Sequence, residues 1–359
     1  MAEGLQRSLC TILLCPYNYA ERQKMEFKLH EDFSEIGPTN WNALVEGSIA
    51  DTPFSRYEYL SEWWRNLGGG EWKNARLVLV SASENGQLIG LAPLFIHEYD
   101  GRQALLLVGS IEISDYLDLI VREEDLSRFL TGLIDFLASS LTDRWSAIDW
   151  YNLPDSSPTL AALKADSEKR GWDYFEEVYR PTPRIALTGT FDDYLMSLDK
   201  KQRHELRRKM RRAAESGRVR FHIIDRDADI EPELEAFFHL MVQEPNKALF
   251  LKDVMRDQMS QSIRAAHEYN YLWLAFLEID GVKAAATLCF DYKNKLWGYN
   301  SGVSRDFMEL SPGWVIMGYT MQWCCENGRY EFDFMRGDEE YKYRMGGVNK
   351  YVMRARMIR

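Results

Sequence analysis

The sequence is organised around residues 330–347, which read YEFDFMRGDEEYKYRMGG. Residues 331–335 alternate acidic and apolar side chains, which predicts a short strand with Asp333 on the face opposite Phe332 and Phe334. Three carboxylates, two tyrosines and a lysine follow where this strand meets a predicted helix. Function tends to lie on loops held by rigid elements, so this junction is a candidate site; the alternative is a solvated turn before a charged helix.

The composition is that of a globular protein. The chain has 359 residues, of which 46% are hydrophobic and 28% charged, and its length favours about two domains. The net charge of −11 argues against DNA as a partner of the protein as a whole. No apolar run reaches the ~18 residues of a membrane helix, so no transmembrane segment is predicted.

Cysteine and histidine spacing predicts no metal site. The five cysteines form no CxxC and the six histidines form no HExxH. An odd cysteine count with adjacent Cys324 and Cys325 favours reduced thiols and a cytoplasmic protein. Residues 1–24 are expected to be a disordered extension or the result of a misplaced start, because Met25 and residues 26–29 resemble a natural first strand. A leader peptide is not favoured, because the short apolar run lacks the small residue that precedes a cleavage site.

The two halves of the chain repeat one order of predicted elements. Each contains a strand, two helices, a three-stranded meander, a long helix, a strand, a short helix and a closing strand. The clearest echo pairs residues 147–154 (AIDWYNLP) with residues 330–337 (YEFDFMRG), since both place an acid in mid-strand. This order predicts an α/β (α+β) fold with one mixed, mainly antiparallel sheet per half. Pro181 and Pro183 predict the crossing between domains at 25–182 and 183–359.

Local patterns predict several helix ends and loops. Asp199 is a predicted N-cap of a strongly basic helix, and Gly217 is its predicted C′ residue. Ser311 is expected to cap a long helix that begins with proline. The glycines at 68–70 are interpreted as a flexible connection, and residues 115–121 as an extended segment.

These features resemble the GNAT N-acyltransferase fold in two tandem copies. More narrowly, the sequence is similar to the CelD-like (cellulose-biosynthesis-associated) acetyltransferases, relatives of the Fem-type aminoacyltransferases. The resemblance covers nearly everything after Met25 and is strongest in KKQRHELRRKMRRAAESG (200–217), in SG (301–302) through LSPG (310–313), and in residues 332–344. It implies a degenerate N-terminal copy that binds the acceptor, and an acyl-donor site in the C-terminal copy.

The resemblance implies acetyl-CoA or another acyl-CoA as donor, lying between two diverging strands. Its pyrophosphate is expected at the start of the helix after Ser311, because a helix N-terminus offers free N–H groups. Acidic Asp306 and Glu309 depart from the family's usual loop at this point. The predicted cofactor-binding residues are Ser301, Gly302, Val303, Ser311, Gly313 and Trp314.

Acyl transfer needs a neutral nucleophile, a polarised carbonyl and a proton for the leaving group. The resemblance implies Tyr341 as the proton donor, Lys342 as the group that stabilises charge on the donor, and Asp333 or Asp338 as base or amine anchor. The alternative for each is an ion pair at the edge of the core. The predicted substrate-binding residues are Tyr299, Arg203, Arg207, Arg211, Arg336 and Arg344.

The basic helix leaves three interpretations open. It is a solvated helix face, or it binds a phosphate-rich substrate such as a nucleotide-sugar, or it grips an aminoacyl-tRNA. The predicted function is transfer of an acyl group from acyl-CoA to an amine on a small molecule or saccharide, in polysaccharide or cell-envelope biosynthesis. The alternatives are a Fem-like aminoacyl-tRNA-dependent transferase and a non-catalytic saccharide-binding or assembly protein.

Overall fold

The computed structural model describes residues 25–141 and 145–359, so the predicted extension at 1–24 lies outside the described residues. The strands are β1 (Glu26–His30), β2 (Arg76–Glu84), β3 (Gln87–Tyr99), β4 (Arg102–Leu107), β5 (Ile120–Val121), β6 (Ala147–Pro154), β7 (Asp173–Pro181), β8 (Arg184–Ala186), β9 (Val219–Ile223), β10 (Leu272–Ile279), β11 (Val282–Tyr292), β12 (Lys295–Val303), β13 (Glu331–Asp333) and β14 (Tyr351–Ile358).

The helices lie between these strands. They are α1 (Pro38–Val45), α2 (Tyr57–Arg65), α3 (Leu67–Gly70), α4 (Glu123–Ser140), α5 (Pro158–Arg170), α6 (Phe191–Ser197), α7 (Lys200–Glu215), α8 (Ile230–Met241), α9 (Pro245–Phe250), α10 (Asp253–Glu268), α11 (Pro312–Glu326) and α12 (Glu340–Arg344). Within the described ranges, no helix has the length and hydropathy needed to cross a bilayer.

The strands form two mixed sheets. The first has the order β1-β2-β3-β4-β6-β14-β7 with β5 beside β3, and the second has the order β8-β13-β12-β11-β10-β9. Each sheet contains one parallel pair, β4 with β6 and β12 with β13, among antiparallel neighbours. The predicted α/β class, with a mixed and mainly antiparallel sheet in each half, is confirmed.

The last strand does not join the sheet that the repeated order predicts for it. We expected β14 to close the second sheet, but it lies in the first, between β6 and β7. Val352, Ala355 and Met357 bury their side chains in the first core, which accounts for this placement. The domain boundary at 182/183 follows β7 directly and stays a prediction.

The long helix α4 shows how the sequence builds the first core. Its predicted apolar stripe is buried along its whole length: Leu126, Phe129, Leu130, Leu133, Ile134 and Leu137. Burial of each such side chain contributes about 1.5–3 kcal/mol. Gly90 of β3 lets the helix approach, because a Cβ there would lie 2.6 Å from the Phe129 ring.

Some local predictions are confirmed and others are wrong, depending on how much the local structure is set by tertiary packing. The Asp199 carboxylate accepts from the Gln202 N–H at 3.0 Å, and Gly217 has φ +65°, so both ends of α7 are confirmed. The Ser311 cap is wrong, because Ser311 has φ +54° and its side chain makes no capping bond. Of residues 115–121, only Ile120 and Val121 form a strand.

The glycine triplet at 68–70 is packed rather than a loose connection. Gly68 and Gly69 have φ values of +64° and +74° within α3. A Cβ on Gly69 would lie 2.5 Å from the Met255 Cε of α10. These glycines therefore allow α3 and α10 to approach each other closely.

Aromatic rings join the two halves of the chain beneath the second sheet. Phe54 of the first half lies 5.9 Å from the ring of Phe290, 6.5 Å from Trp297 and 6.0 Å from Tyr299. Phe54 is fully buried. The first half therefore packs against β12 near Trp297, where the pairing of β12 with β13 ends.

Candidate functional site

The second sheet opens between β12 and β13. These strands pair over only three residues each, Lys295 to Trp297 with Glu331 to Asp333, while β12 continues to Val303. The register between β11 and β12 shifts at Leu288, which leaves Tyr299 as an extra residue in β12. Such a bulge bends its strand, and it lies where the two strands diverge.

A pocket with a volume of about 410 Å³ occupies the opening. Four segments of the second half line most of it, with single residues from α9 and from the first half. The lining comprises Ala286, Thr287, Gly298, Tyr299, Asn300, Ser301 and Val303 from β11 and β12; Gly313, Trp314, Ile316 and Met317 from α11; Phe332 of β13 with Phe334, Met335 and Arg336 of the turn after it; Glu339, Tyr341, Lys342 and Met345 around α12; and Lys247 and Asp115.

Tyr341 brings a phenol to this pocket. Its ring packs edge-on against Phe334 with 5.9 Å between ring centroids, and 44% of the residue stays exposed because the pocket is open. The surrounding protein, followed by the Glu339 carboxylate, raises the pKa of Tyr341. The phenol therefore stays protonated at neutral pH and is able to donate a proton.

Lys342 is buried, with 3% of its surface exposed, and its ammonium is fully engaged. It donates to the Arg336 carbonyl at 2.8 Å, to the Met335 carbonyl at 3.3 Å and to the Gly337 carbonyl at 3.4 Å. The Glu339 carboxylate lies 2.8 Å away. Lys342 thus holds the turn after β13 in place, and this turn forms one wall of the pocket.

Lys247 reaches the pocket from α9. Its Nζ donates to the Ser301 carbonyl oxygen at 2.6 Å and lies 3.4 Å from the Ser301 hydroxyl. Burial lowers the pKa of Lys247, opposed by Glu244 and Glu339 and assisted by Lys342. A second amine-bearing side chain therefore stands beside the diverging part of β12.

Asp333 is not placed to act as the predicted base. It is completely buried and does not line the pocket. Its carboxylate accepts from the Tyr116 hydroxyl at 3.0 and 2.9 Å and from the Met335 N–H at 2.8 Å. Arg184 lies 3.1 Å away and Lys295 3.0 Å away. We assign Asp333 a structural role, because these partners occupy both of its oxygens.

The similar strands of the two halves, β6 and β13, each carry a buried acid with comparable contacts. Asp149, in the middle of β6, is also buried and accepts from Arg354 at 2.8 and 2.7 Å. Both acids are thus buried and paired with an arginine, although Asp149 lies within β6 and Asp333 is the last residue of β13. Each strand takes part in the parallel pair of its sheet. The repeat reflects a shared way of building the sheet rather than two shared active sites.

Arg336 lines the pocket, but its guanidinium donates hydrogen bonds to residues of the first half of the chain. Its Nε donates to Asp115 at 2.6 Å, one terminal nitrogen donates to Asn152 at 3.1 Å, and the other donates to the Glu112 carbonyl. Its backbone N–H donates to the second Asp115 oxygen at 3.1 Å. The guanidinium that we predicted to bind substrate is therefore already bound to protein groups.

The predicted cofactor residues separate into two groups. Ser301, Val303, Gly313 and Trp314 line the pocket, whereas Gly302 and Ser311 do not. A Cβ on Gly302 would lie 2.5 Å from the Leu240 and Met241 backbone, so this glycine serves the contact with α8.

The tip of α11 offers few free donors. The Ser311 N–H donates to Met308, Pro312 has no N–H, and the Trp314 and Val315 N–H groups donate to Ser311. Within the described ranges, Gly313 has the one N–H group of this turn that makes no backbone hydrogen bond. The helix start therefore offers few N–H donors to a pyrophosphate.

The remaining predicted residues lie outside the pocket lining. Arg207 pairs with Asp192 at 3.2 Å, Arg211 with Glu215 at 3.8 Å, and Arg344 with Glu340. Arg203 donates to the carbonyls of Met196 and Leu198, and Asp338 accepts from the Tyr343 hydroxyl. These five side chains make local contacts outside the pocket, and the substrate and catalytic roles predicted for them stay predictions.

The sequence reasoning missed several lining residues, above all Lys247 and Asp115. Lys247 lies on a six-residue helix, too short to show periodicity, although Glu244-Pro245 is a recognisable helix start. Asp115 belongs to the first half, and only the packing of the two halves brings it to this site. Groups of three or more potential metal ligands are not found within the described ranges.

Comparison with known proteins supports an acyltransferase-like second half. Residues 200–343 match the family model described as an acetyltransferase (GNAT) domain. No curated protein sequence matches the chain significantly. The crystal structure of FemX is similar at 12% identity, covering 92% of this chain and 96% of that chain, with a TM-score of 0.65.

Two further solved structures share the fold over most of the chain. A conserved protein of unknown function from Bacteroides thetaiotaomicron is 11% identical, covers 93% of this chain and 100% of that chain, and has a TM-score of 0.59. The structure of L-PGS from Bacillus licheniformis is 13% identical, covers 90% and 91% of the two chains, and has a TM-score of 0.54. At these identities the likeness establishes the fold alone.

Proposed function

We propose that this chain is an N-acyltransferase that moves an acyl group from acyl-CoA to an amine of a small-molecule or saccharide acceptor. The observation that carries the proposal is the position of the Tyr341 side chain, which lines the pocket between the diverging strands β12 and β13. The match of residues 200–343 to a GNAT acetyltransferase domain supports it. The pocket volume lies in the usual range of small-molecule sites.

The proposed reaction is a nucleophilic acyl substitution. A neutral amine attacks the thioester carbon, a C–N bond forms, and the carbonyl electron pair moves to oxygen. Backbone N–H groups of β12 beyond the Tyr299 bulge are the proposed donors to this oxygen. When the C–S bond breaks, the thiolate takes a proton from Tyr341 and the amine nitrogen loses its proton to solvent. Tyr341 then takes a proton from solvent, which restores the phenol for the next turnover.

A second candidate function keeps this chemistry and takes the acyl group from an aminoacyl-tRNA ester. It is favoured by the sparse donors at the tip of α11 and by the basic helix α7 beside it. The Lys209 Nζ lies 4.5 Å from the ring centroid of Trp314, which lines the pocket. Polyanion binding of this kind weakens steeply as salt rises, so a salt series separates the two donors.

The resemblance of the sequence to CelD-like acetyltransferases supports a cytoplasmic role in polysaccharide or cell-envelope biosynthesis. We keep this setting, the CelD-like membership and the two-domain division as parts of the proposal. The third candidate, a non-catalytic saccharide-binding or assembly protein, predicts that the pocket binds a ligand without turnover.

The test begins with binding and proceeds to turnover. Acetyl-CoA is titrated by calorimetry, and release of free CoA thiol is then followed with a panel of amino sugars and small amines. The proposal expects saturable acetyl-CoA binding and amine-dependent thiol release that requires the Tyr341 hydroxyl. Absence of acetyl-CoA binding to well-folded protein contradicts the donor, and binding without turnover on any amine favours the non-catalytic candidate.

A further inference from the structure

The charged side chains that line the pocket do not balance. Three are cationic, Lys247, Arg336 and Lys342, and two are carboxylates, Asp115 and Glu339. Arg336 pairs with Asp115 at 2.6 Å, and Lys342 pairs with Glu339 at 2.8 Å. In residues 25–141 and 145–359, Lys247 has no salt-bridge partner within 4.0 Å. The lining therefore carries one unmatched positive charge.

Lys247 is held in place by neutral groups. The Ser301 carbonyl and hydroxyl oxygens lie 2.6 and 3.4 Å from its Nζ. The neighbouring acid Glu244 caps α9 instead, accepting from the N–H groups of Asn246 and Lys247 at 3.1 and 2.8 Å. An ammonium has three donors, so at least one stays available to a molecule in the pocket.

An uncompensated cation in such a position is costly for the empty protein. Burial disfavours the charged form of Lys247 and so lowers its pKa, although Glu244 and Glu339 oppose this effect. Partly buried charges are retained where a partner compensates them. Glu244 and Glu339 compensate this charge only in part, since neither forms an ion pair with Lys247, and the open side of the pocket is where a closer partner can enter.

We propose that Lys247, with the Ser301 hydroxyl, forms an anion subsite that holds a carboxylate or phosphate oxygen of a ligand. The proposal deepens the proposed function, on which it rests for the chemistry of the same pocket. The anion belongs either to the acceptor or to the phosphates of the donor. In both cases an anionic oxygen takes the free donor of Lys247 and neutralises the unmatched charge.

The test measures thermal unfolding against increasing inorganic phosphate and, separately, malonate, at constant ionic strength. The wild-type protein is expected to show a saturable rise in Tm, since an anion that binds only the folded state stabilises it. Lys247→Met is expected to weaken the apparent affinity roughly tenfold or more, the loss of a charge-assisted hydrogen bond. Lys247→Arg is expected to keep most of it, and Lys164→Met, at an exposed position of α5, is the matched control.

Two results overturn the subsite. One is a wild-type Tm that follows ionic strength alone, and the other is an equal anion response in wild type and in Lys247→Met of unchanged circular dichroism. Repeating the titration with saturating acetyl-CoA identifies the source of the anion. Competition assigns it to the donor phosphates, and independent binding assigns it to the acceptor.

The same measurements separate this proposal from the proposed function. If phosphate binding depends on Lys247 while acetyl-CoA does not bind, the subsite stands and the donor is wrong. If acetyl-CoA binds and is turned over but the anion response does not depend on Lys247, the function stands and the subsite is wrong.

Discussion

The Arg336 guanidinium of the second half donates to the Asp115 carboxylate of the first half at 2.6 Å, on the wall of the pocket. Both side chains are largely buried, with 11% and 13% of their surfaces exposed. The pair joins the turn after β13 to the loop before β5, so the shape of the pocket depends on how the two halves pack.

Asp115→Asn is therefore expected to destabilise the protein by about 3 kcal/mol, because it leaves the Arg336 charge buried without its partner. Chemical denaturation measures this loss. Asp192→Asn, which breaks the exposed pair with Arg207, is the control and is expected to cost about 1 kcal/mol or less. Equal losses for both variants contradict the role assigned to Arg336.

Tyr341→Phe is expected to lower kcat roughly 100-fold or more while KM changes little, since it removes the proton donor but keeps the ring against Phe334. Steady-state kinetics on the best acceptor measure both constants. Tyr343→Phe removes a hydroxyl that binds Asp338 outside the pocket and serves as the control. Because the pKa of Tyr341 is raised, the fall in kcat that follows its deprotonation is expected only above the ordinary tyrosine range near 10.

Asp333→Asn is expected to reduce stability by about 3–5 kcal/mol, because Arg184 and Lys295 lose their shared buried anion. Tyr116→Phe is the milder variant, with an expected loss of about 1–3 kcal/mol. Unfolding curves and kcat per folded molecule are measured together. A base role for Asp333 instead predicts a loss of kcat by about 10²–10⁴ in protein that folds normally.

Gly302→Ala is expected to cost about 1–3 kcal/mol, because the new Cβ would meet the α8 backbone at 2.5 Å. Gly313→Ala is the matched control, since its Cβ would meet only the Val303 side chain at 3.4 Å. Denaturation midpoints compare the two. Similar stabilities in both variants speak against the close contact between β12 and α8.

Lys247→Met is expected to stabilise the ligand-free protein at neutral pH, because it removes an unmatched charge whose folded pKa is lowered. Below the folded pKa both states carry the proton, so the folded state bears the full penalty. Above the ordinary lysine pKa near 10.4 both states are neutral and the penalty is absent. The gain of Lys247→Met should therefore shrink as pH rises through that window, which unfolding free energies at pH 7 to 10.5 measure. A gain that does not vary with pH refutes this account.

The sequence predicts most elements because their evidence is local. The stripe of α4 and the ends of α7 at Asp199 and Gly217 depend on neighbours within a few turns. The pairing of β14 depends on partners far away in the sequence, β6 and β7, and the alternation of Val352, Ala355 and Met357 does not specify which sheet they join.

The candidate site was predicted only in part for the same reason. An acid in mid-strand is either functional or paired, and the choice for Asp333 depends on Lys295 and Arg184, which are distant in sequence. Tyr341 and Lys342 were found because they cluster in one motif. Lys247 was missed because it reaches the pocket from a separate short helix.

The position of β14 in the first sheet affects how this protein folds while the ribosome synthesises it. On the ribosome, residues 25–181 emerge first, yet β7 finds its partner only when residues 351–358 have been made. Until then the inner edge of β6 stays unpaired, a template for wrong strands. The earlier half of this chain thus completes its folding last, and expressed alone it is expected to require a synthetic strand in place of β14.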